Sequence, residues 1–263
     1  MTHEPRTPFP YTEPGVATLR SGSLVAAAAP GPPEPAVLRA TGLRKTYDPA
    51  AGPVLDGIDA AFRGGELCAL TGPSGAGKST LLACLAGHEP PSGGGVRLVD
   101  GPGPGTPVRG PCRTLVGYAP AHARPFPRRT VAAFARWTAA LARVPFDPHH
   151  LARIAWLLGL GDALDTRAAD LPPRDARLAL CAAALLPRPR LLAVDAAPAG
   201  PGGADAAFLD RLRRAAGGLG TGVVAVAADA AAAAVADRVV ALADGRLTES
   251  GAADGADDAA EAG

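Results

Sequence analysis

The chain has few cysteines, and none of them is paired in a motif. Cys68, Cys84, Cys112 and Cys181 lie far apart, without the Cys-x-x-Cys spacing of zinc and redox sites. Two of the four fall inside apolar runs, where a thiol behaves as a small hydrophobic side chain. We therefore expect buried, reduced thiols in a cytosolic protein.

An excess of charge of either sign is also lacking. The formal net charge is +1 and the pI is about 7.7. Proteins that bind nucleic acid usually present a strong positive field, which balanced charges do not supply. We expect no nucleic-acid partner.

Long apolar runs are missing as well. No run approaches the roughly 20 residues needed to cross a bilayer. The apolar residues 24–29 are too few for a secretory signal and follow a Pro-rich, acidic stretch. We expect a cytoplasmic protein, so any membrane work would need other chains to span the bilayer.

What is present is an apolar, weakly charged chain, with 48% hydrophobic and 19% charged residues, which favours a soluble α/β protein. Residues 1–35 are rich in Pro, Ala and Thr and are predicted to be a disordered leader, and residues 252–263 an acidic, solvated tail. The folded domain is predicted to cover residues 36–251, with a helical subdomain at about residues 126–175.

Apolar and alternating runs predict strands separated by Gly- and Pro-rich turns. The predicted strands cover residues 37–43, 54–62, 66–71, 96–99, 115–119, 191–194, 223–227 and 238–243. Residues 130–170 are helical in pattern, with Val131, Phe134 and Leu141 on one face. Asp244-Gly245 predicts a hairpin turn.

One motif stands out between a predicted strand and a predicted helix. It runs Gly72, Pro73, Ser74, Gly75, Ala76, Gly77, Lys78, Ser79, Thr80 and fits Gly-x-x-x-x-Gly-Lys-[Ser/Thr]. At a helix N-terminus, free backbone N–H groups and the positive end of the helix dipole favour a phosphate chain. Lys78 would reach the terminal phosphates and the Ser79 hydroxyl would ligate Mg²⁺.

With these residues the chain resembles the ATP-binding subunit of ABC transporters over most of residues 38–251. Residues 72–80 resemble its Walker A motif, and 191–195 its Walker B motif, which implies that Asp195 holds Mg²⁺. Tyr47 takes the position of the aromatic residue that stacks on adenine. Packing of Tyr47 on the core is the alternative.

The resemblance implies a fold and partners. The fold would be α/β, a P-loop NTPase core with a mixed parallel sheet, an antiparallel β subdomain at the N-terminal side and an inserted helical subdomain. The cofactors would be ATP and Mg²⁺. The partners would be a membrane permease subunit and a second ATP-binding subunit, in a homodimer or heterodimer, which would place the chain at the inner face of the cell membrane.

The chain departs from the family at the residues that handle water and the γ-phosphate. Leu171-Pro172-Pro173-Arg174-Asp175 stands where the family has Leu-Ser-Gly-Gly-Gln. The catalytic Glu, the switch His, the Q-loop Gln and the aspartate after Walker B fall on Ala196, Ala228, Ala121 and Gly202. We therefore expect Mg·ATP binding with hydrolysis impaired or lost.

Two alternatives stay open. One is an active ATPase in which His122 replaces the missing base, since His122 adjoins Ala121, whereas His149 and His150 are predicted to be solvated surface residues. The other is a soluble ABC regulatory protein without a permease. In a heterodimer, Arg174 could still place a positive charge near the γ-phosphate bound by the partner.

Overall fold

A six-stranded mixed sheet forms the centre of the protein. The computed structural model describes residues 36–99, 105–109, 114–195 and 205–250. The strand order in this sheet is β10-β9-β3-β8-β7-β6, with all neighbours parallel except β10, which runs antiparallel to β9. The strands are β3 (Leu67–Thr71), β6 (Val116–Ala119), β7 (Leu191–Val194), β8 (Gly222–Val226), β9 (Arg238–Ala243) and β10 (Arg246–Ser250).

The central strands are parallel because their sequences are apolar on both faces. Every residue of β7 and β8 is buried, as are the first four of β3. Strands covered by helices on both sides read as continuous Val, Leu and Ala runs. Asp244 and Gly245 turn β9 into β10 with φ values of 49° and 73°, which confirms the predicted hairpin.

A second, antiparallel sheet is built from the N-terminal part of the domain, with strand order β2-β1-β4-β5. Its strands are β1 (Ala36–Lys45), β2 (Leu55–Arg63), β4 (Gly93–Leu98) and β5 (Thr106–Pro107). Leu38, Leu43, Leu55 and Phe62 are buried in the same hydrophobic core as the central strands. The predicted antiparallel subdomain is thereby confirmed.

Six α-helices accompany the sheets in the described part of the chain. They are α1 (Lys78–Leu85), α2 (Val131–Leu141), α3 (Pro148–Leu157), α4 (Pro173–Leu185), α5 (Ala206–Leu219) and α6 (Ala230–Ala233). Thr130, Asp147, Asp205 and Asp229 cap helices by accepting a backbone N–H, as residues with short polar side chains do at N-caps. The sequence had not predicted α5.

Leu141, predicted on one face of the helix with Val131 and Phe134, is the last residue of α2 and is 63% exposed, whereas the other two are buried. One expectation about the helical region was wrong. His150, expected to be solvated, is only 8% exposed because the first turn of α3 packs against the rest of the domain. His149, one position earlier, is exposed as expected.

The thiols of Cys68, Cys84 and Cys181 are buried and free, as expected. Burial raises the pKa of Cys68 and Cys181 to about 12 and that of Cys84 to about 11, so these thiols are unreactive at neutral pH. Cys112, the predicted leader and the predicted acidic tail lie outside the described residues.

Candidate nucleotide site

The candidate site lies where three neighbouring parallel strands end. The carboxyl ends of β3, β8 and β7 lie side by side, and they lead into the loop at Gly72, into Ala227 and Ala228, and into Asp195. In open α/β sheets the crevice beyond the carboxyl ends of the strands is the usual place for a ligand. The topology therefore joins the loop at Gly72 to two segments that follow it by more than 100 residues in the chain.

The loop between β3 and α1 has a shape that only glycine allows at two positions. Gly72 has a φ of 136°, and a Cβ atom there would stand 2.1 Å from the Leu242 carbonyl oxygen. Gly77, the N-cap of α1, has a φ of 94°, and its Cβ would stand 2.8 Å from Val54 Cγ1. Side chains at either position would force the loop away from β9 or from the β1–β2 connection.

The N-terminus of α1 is left without a counter-charge. Gly77 offers no side-chain cap, and the first turn contains no acidic residue. The free N–H groups and the positive end of the helix dipole therefore face the loop, which is the arrangement that binds phosphate.

Lys78 begins α1 and folds back over the loop. Its Nζ donates to the carbonyl oxygens of Gly72, at 2.8 Å, and Pro73, at 2.7 Å. An ammonium group has three donors, so one is left beyond these two bonds. The ammonium is thus held at the mouth of the loop.

Asp195 follows β7 and is 6% exposed. Its backbone N–H donates to the Ala119 carbonyl at 2.9 Å, which ties the end of β7 to the end of β6. Burial raises the pKa of the neighbouring Tyr118 to about 12, with a further contribution from the charge of Asp195. Asp195 is a carboxylate at the floor of the site.

These residues enclose a cleft of about 540 Å³. Nine of the eleven predicted binding residues line it; Pro73 and Ala76, in the same loop, do not. The lining consists of Tyr47, Val54, Gly72, Ser74, Gly75, Gly77, Lys78, Ser79, Thr80, Ala121, His122, Asp195, Val226, Ala227 and Ala228. Val54, Val226 and Ala227 were missed because they show only as apolar strand ends in the sequence.

Tyr47 stands at the rim of the cleft. Its side chain is 58% exposed, so the alternative that it packs on the core is wrong. Lys45 Nζ lies 4.7 Å from the ring centroid, and it also forms an ion pair with Glu89 Oε1 at 2.5 Å. The ring is held beside the cleft with much of its surface in solvent.

The positions expected to handle water present methyl groups or lie outside the described residues. Ala121 and Ala228 both line the cleft, whereas Ala196 and Gly202 are not among the residues that the structure describes. His122, the one substitute base considered, also lines the cleft and is exposed.

Ser79 and Asp195 could hold a metal ion together with phosphate and water oxygens, a donor set that suits Mg²⁺. No cluster of three or more His, Cys, Asp or Glu side chains forms a separate metal site within the described ranges.

Residues 171–175, which stand where the family has Leu-Ser-Gly-Gly-Gln, make their ion pairs within their own chain. Pro172 is the N-cap of α4 and Pro173 its first residue, so neither contributes a backbone donor. Arg174 forms an ion pair with Asp205, the N-cap of α5, and Asp175 pairs with Arg211 at 3.0 Å. Arg174 would have to leave Asp205 before it could reach a phosphate held by another chain.

Arg177 is a residue of this region that sequence reasoning missed. Its guanidinium, 3% exposed, donates to the carbonyl oxygens of Pro120 at 2.8 Å, Ala121 at 3.1 Å and Asp195 at 2.5 Å. One side chain of α4 thus fixes the backbone on two sides of the cleft. A single arginine on a helix gives no signal of this role, because its three partners lie 18 to 57 residues away.

Replacing Arg177 by methionine is expected to destabilise the domain by about 2–4 kcal/mol. The change removes the arginine donor from the carbonyls of Ala121 and Asp195, while the Pro120 carbonyl keeps the Ala123 N–H at 3.2 Å. Each unsatisfied group costs about 1–3 kcal/mol, partly offset because a charge no longer has to be buried. Urea denaturation gives the difference in unfolding free energy. The matched control is Arg214→Met, which breaks only the exposed ion pair with Asp210 and should change stability by no more than about 0.5 kcal/mol. Equal effects of the two changes would contradict the role given to Arg177.

A larger groove of about 1170 Å³ lies beside the cleft, between β6, α2 and α4. Most of its lining is apolar, and Leu141 at its edge is exposed. Phe126 and Trp137 extend the apolar surface; their ring centroids are 4.6 Å apart, and the two residues are 42% and 41% exposed. In the described part of the chain no helix is long and apolar enough to span a membrane.

Comparison with known proteins agrees with this geometry. The family model described as ABC transporter matches residues 55–198, more than half of the chain. The chain is 36% identical to the Fe(3+) ions import ATP-binding protein FbpC of Streptomyces coelicolor, over 75% of this chain but only 57% of that protein. It is also 36% identical to the hemin import ATP-binding protein HmuV of Nocardia farcinica, over 81% of this chain and 77% of that one.

Solved structures show the same fold. The structure of cbiO1 from Clostridium perfringens, part of the ABC transporter complex cbiONQ, superposes with a TM-score of 0.67 at 21% identity, over 82% of this chain and 88% of that one. A nucleotide-free ATP-binding cassette from an ABC transporter gives a TM-score of 0.65 at 17% identity, covering 81% and 90%. The predicted α/β P-loop NTPase fold is confirmed, and the chain belongs to the ABC transporter family of ATP-binding proteins.

Proposed function

We propose that this chain binds Mg·ATP in the 540 Å³ cleft and couples it to a separate membrane permease, with hydrolysis impaired or lost. One observation carries the proposal. The cleft joins seven of the nine residues of the phosphate-binding motif with Tyr47 and Asp195, while alanines occupy the two described positions where the family's water-handling side chains are expected.

Each side chain has a part that its position allows. The loop N–H groups and the N-terminus of α1 would bind the phosphates, and Lys78 would exchange its two carbonyl acceptors for phosphate oxygens. Tyr47, at the rim, would stack on the adenine ring. Ser79 and Asp195 would hold Mg²⁺, whose charge would offset that of the phosphates.

The chain offers little for hydrolysis. A positioned general base contributes about 10²–10⁴ in rate, and a methyl group can neither accept a proton nor orient water. His122 supports a second candidate, an active ATPase with a substituted base, because its side chain lines the cleft. A Lys78-dependent ATPase that is lost in His122→Ala would favour that candidate.

The partner is proposed to be a permease, because the named relatives are import ATP-binding proteins. The exposed apolar surface at Phe126, Trp137 and Leu141 supports a protein partner, since exposed apolar patches of this kind usually mark interaction sites. The domain that would form both contacts is proposed to be residues 36–251, with the helical subdomain at about residues 126–175. We place the chain at the cytoplasmic face of the cell membrane.

The ATP sites of this family are shared between two chains. The segment that this chain would place against the partner's nucleotide has few hydrogen-bond donors. Two prolines and an arginine bound to Asp205 stand where a partner's γ-phosphate would need donors. A homodimer would carry that defect in both sites. We therefore propose a heteromer in which a second, competent ATP-binding subunit hydrolyses ATP and this chain holds its nucleotide.

Purification of this chain with a permease and a second ATP-binding subunit encoded beside it tests the assembly. ATPase activity of the complex is expected to survive Lys78→Ala in this chain and to fall to background when the partner's own Walker lysine is replaced. A stable homodimer of this chain that drives transport with the permease alone would refute the heteromer.

A further inference from the structure

A small basic cavity of about 250 Å³ lies apart from the nucleotide cleft and shares no lining residue with it. It forms where the first turn of α3 meets the segments that follow α4 and α5. Its polar lining comes from His150, Arg153, Arg188, Arg190 and Thr221.

Among the residues that the structure describes, the lining carries three arginines and no acidic residue. Arg188 forms an ion pair with the carboxylate of Asp147 at 3.2 Å. Arg153 donates one bond, to the Gly218 carbonyl at 2.6 Å. A guanidinium has five N–H donors, so these single contacts leave Arg153 and Arg188 with capacity for a further acceptor.

His150 is the buried member of the set. It is 8% exposed, and its Nε2 atom has no hydrogen-bond partner among the described residues. Asp147 caps α3 by accepting the backbone N–H groups of His149 and His150, which holds the residue in place. Buried polar atoms are nearly always paired, so this nitrogen indicates a missing partner.

Arg188 has an unusual backbone. Its φ of 57° lies in the left-handed region, where glycine is the favoured residue after a helix. An arginine there is unfavourable, yet it places a third guanidinium at the cavity. Neutralising the negative C-terminal ends of α4 and α5 would account for the arginines but not for the unpaired nitrogen of His150.

We propose that this cavity binds a phosphate-type oxyanion, either free or as a phosphate group of a larger molecule, through Arg153 and Arg188 with protonated His150. Planar guanidinium groups match the oxygens of phosphate, and an imidazolium donates through both ring nitrogens. Thr221 adds a hydroxyl, which donates to the Pro189 carbonyl at 3.0 Å and can still accept.

The charge of His150 links this site to pH. Burial lowers its pKa, and the charges of Arg188 and Arg153 lower it further, against the opposing effects of the Leu185 backbone and of Asp147. The imidazole is therefore mostly neutral at pH 7. A bound oxyanion stabilises the imidazolium, so binding should raise the pKa of His150, and the protonated form should bind the oxyanion more tightly than the neutral form.

Nuclear magnetic resonance of the histidine rings tests this directly. The full chain carrying Lys78→Ala is titrated with pH in inorganic phosphate or in sodium chloride of equal ionic strength, so that the nucleotide loop does not contribute. We expect the pKa of His150 to be at least one unit higher at saturating phosphate, which corresponds to about tenfold tighter binding to the protonated form. His149, the exposed neighbour on the same turn, is the matched control and should not respond.

The contribution of Arg188 to phosphate binding is measured with a variant. Arg188→Gly suits the left-handed backbone and should fold, and it is expected to weaken phosphate binding by about fivefold or more without a loss of thermal stability. Arg214→Ala, an exposed arginine on α5 outside the cavity, should leave binding unchanged. An equal pKa change in chloride and phosphate, or phosphate binding that Arg188→Gly does not weaken, would overturn the proposal.

The source of the oxyanion is resolved by two further titrations of the Lys78→Ala chain. ADP and vesicles containing an anionic phospholipid each carry a phosphate group on a larger molecule. A His150 response to one of these at lower phosphate-group concentration than to inorganic phosphate would assign the cavity to that source, and a response to inorganic phosphate alone would assign it to the free ion.

Discussion

Phosphate release by the purified chain is expected to stay at the level of a no-enzyme control. Ala121 and Ala228 line the cleft where side chains that orient water would be needed, and Ala196 replaces the residue expected to act as the base. Loss of a general base lowers the rate by about 10²–10⁴, and loss of the groups around it adds to that. A coupled phosphate assay with saturating Mg·ATP measures the rate.

The informative comparison restores the missing groups. Ala196→Glu combined with Ala228→His is expected to give partial activity at most, because Pro172 and Pro173 still remove donors from the second half of the site. Release by the unaltered chain that depends on Lys78 and clearly exceeds the control would show the prediction to be wrong. Loss of such activity in His122→Ala would then identify the substitute base.

Saturating Mg·ATP is expected to raise the melting temperature of the chain, and Lys78→Ala is expected to abolish the rise. A ligand at about 100 times its dissociation constant stabilises the native state by about 2.7 kcal/mol. For a domain of this size that corresponds to an increase of about 5–10 °C. The effect is lost in the variant because the terminal phosphates then lack the cation that the loop places beside them.

Lys78→Ala should melt close to the wild type when nucleotide is absent, because the side chain is only partly buried and bonds to two loop carbonyls. That baseline separates a binding defect from a folding defect. ATP with a chelator in place of Mg²⁺ shows how much of the increase depends on the metal. No increase in the wild type, or the same increase in Lys78→Ala, would contradict the assignment of the cleft.

Local signals in the sequence predicted much of the fold. The glycines of residues 72–77 lie between an apolar strand and an apolar helix, and Asp244-Gly245 joins two apolar runs, so neighbours in the chain determine both turns. The buried strands β7 and β8 read as short runs of Val, Leu and Ala for the same reason. Helix α5 was overlooked although Phe208, Leu209, Leu212, Ala215 and Ala216 follow helical spacing.

By itself, the sequence determined the phosphate-binding loop, the buried central strands and the family, because each depends on residues that are close in the chain. Only the tertiary structure decided that Tyr47 is exposed at the rim, that Arg177 bonds to two sides of the cleft and that Arg174 pairs with Asp205. It also buried His150 beside three arginines. These outcomes depend on packing between distant segments, and one residue's type does not reveal which carbonyl, carboxylate or guanidinium the fold will place beside it.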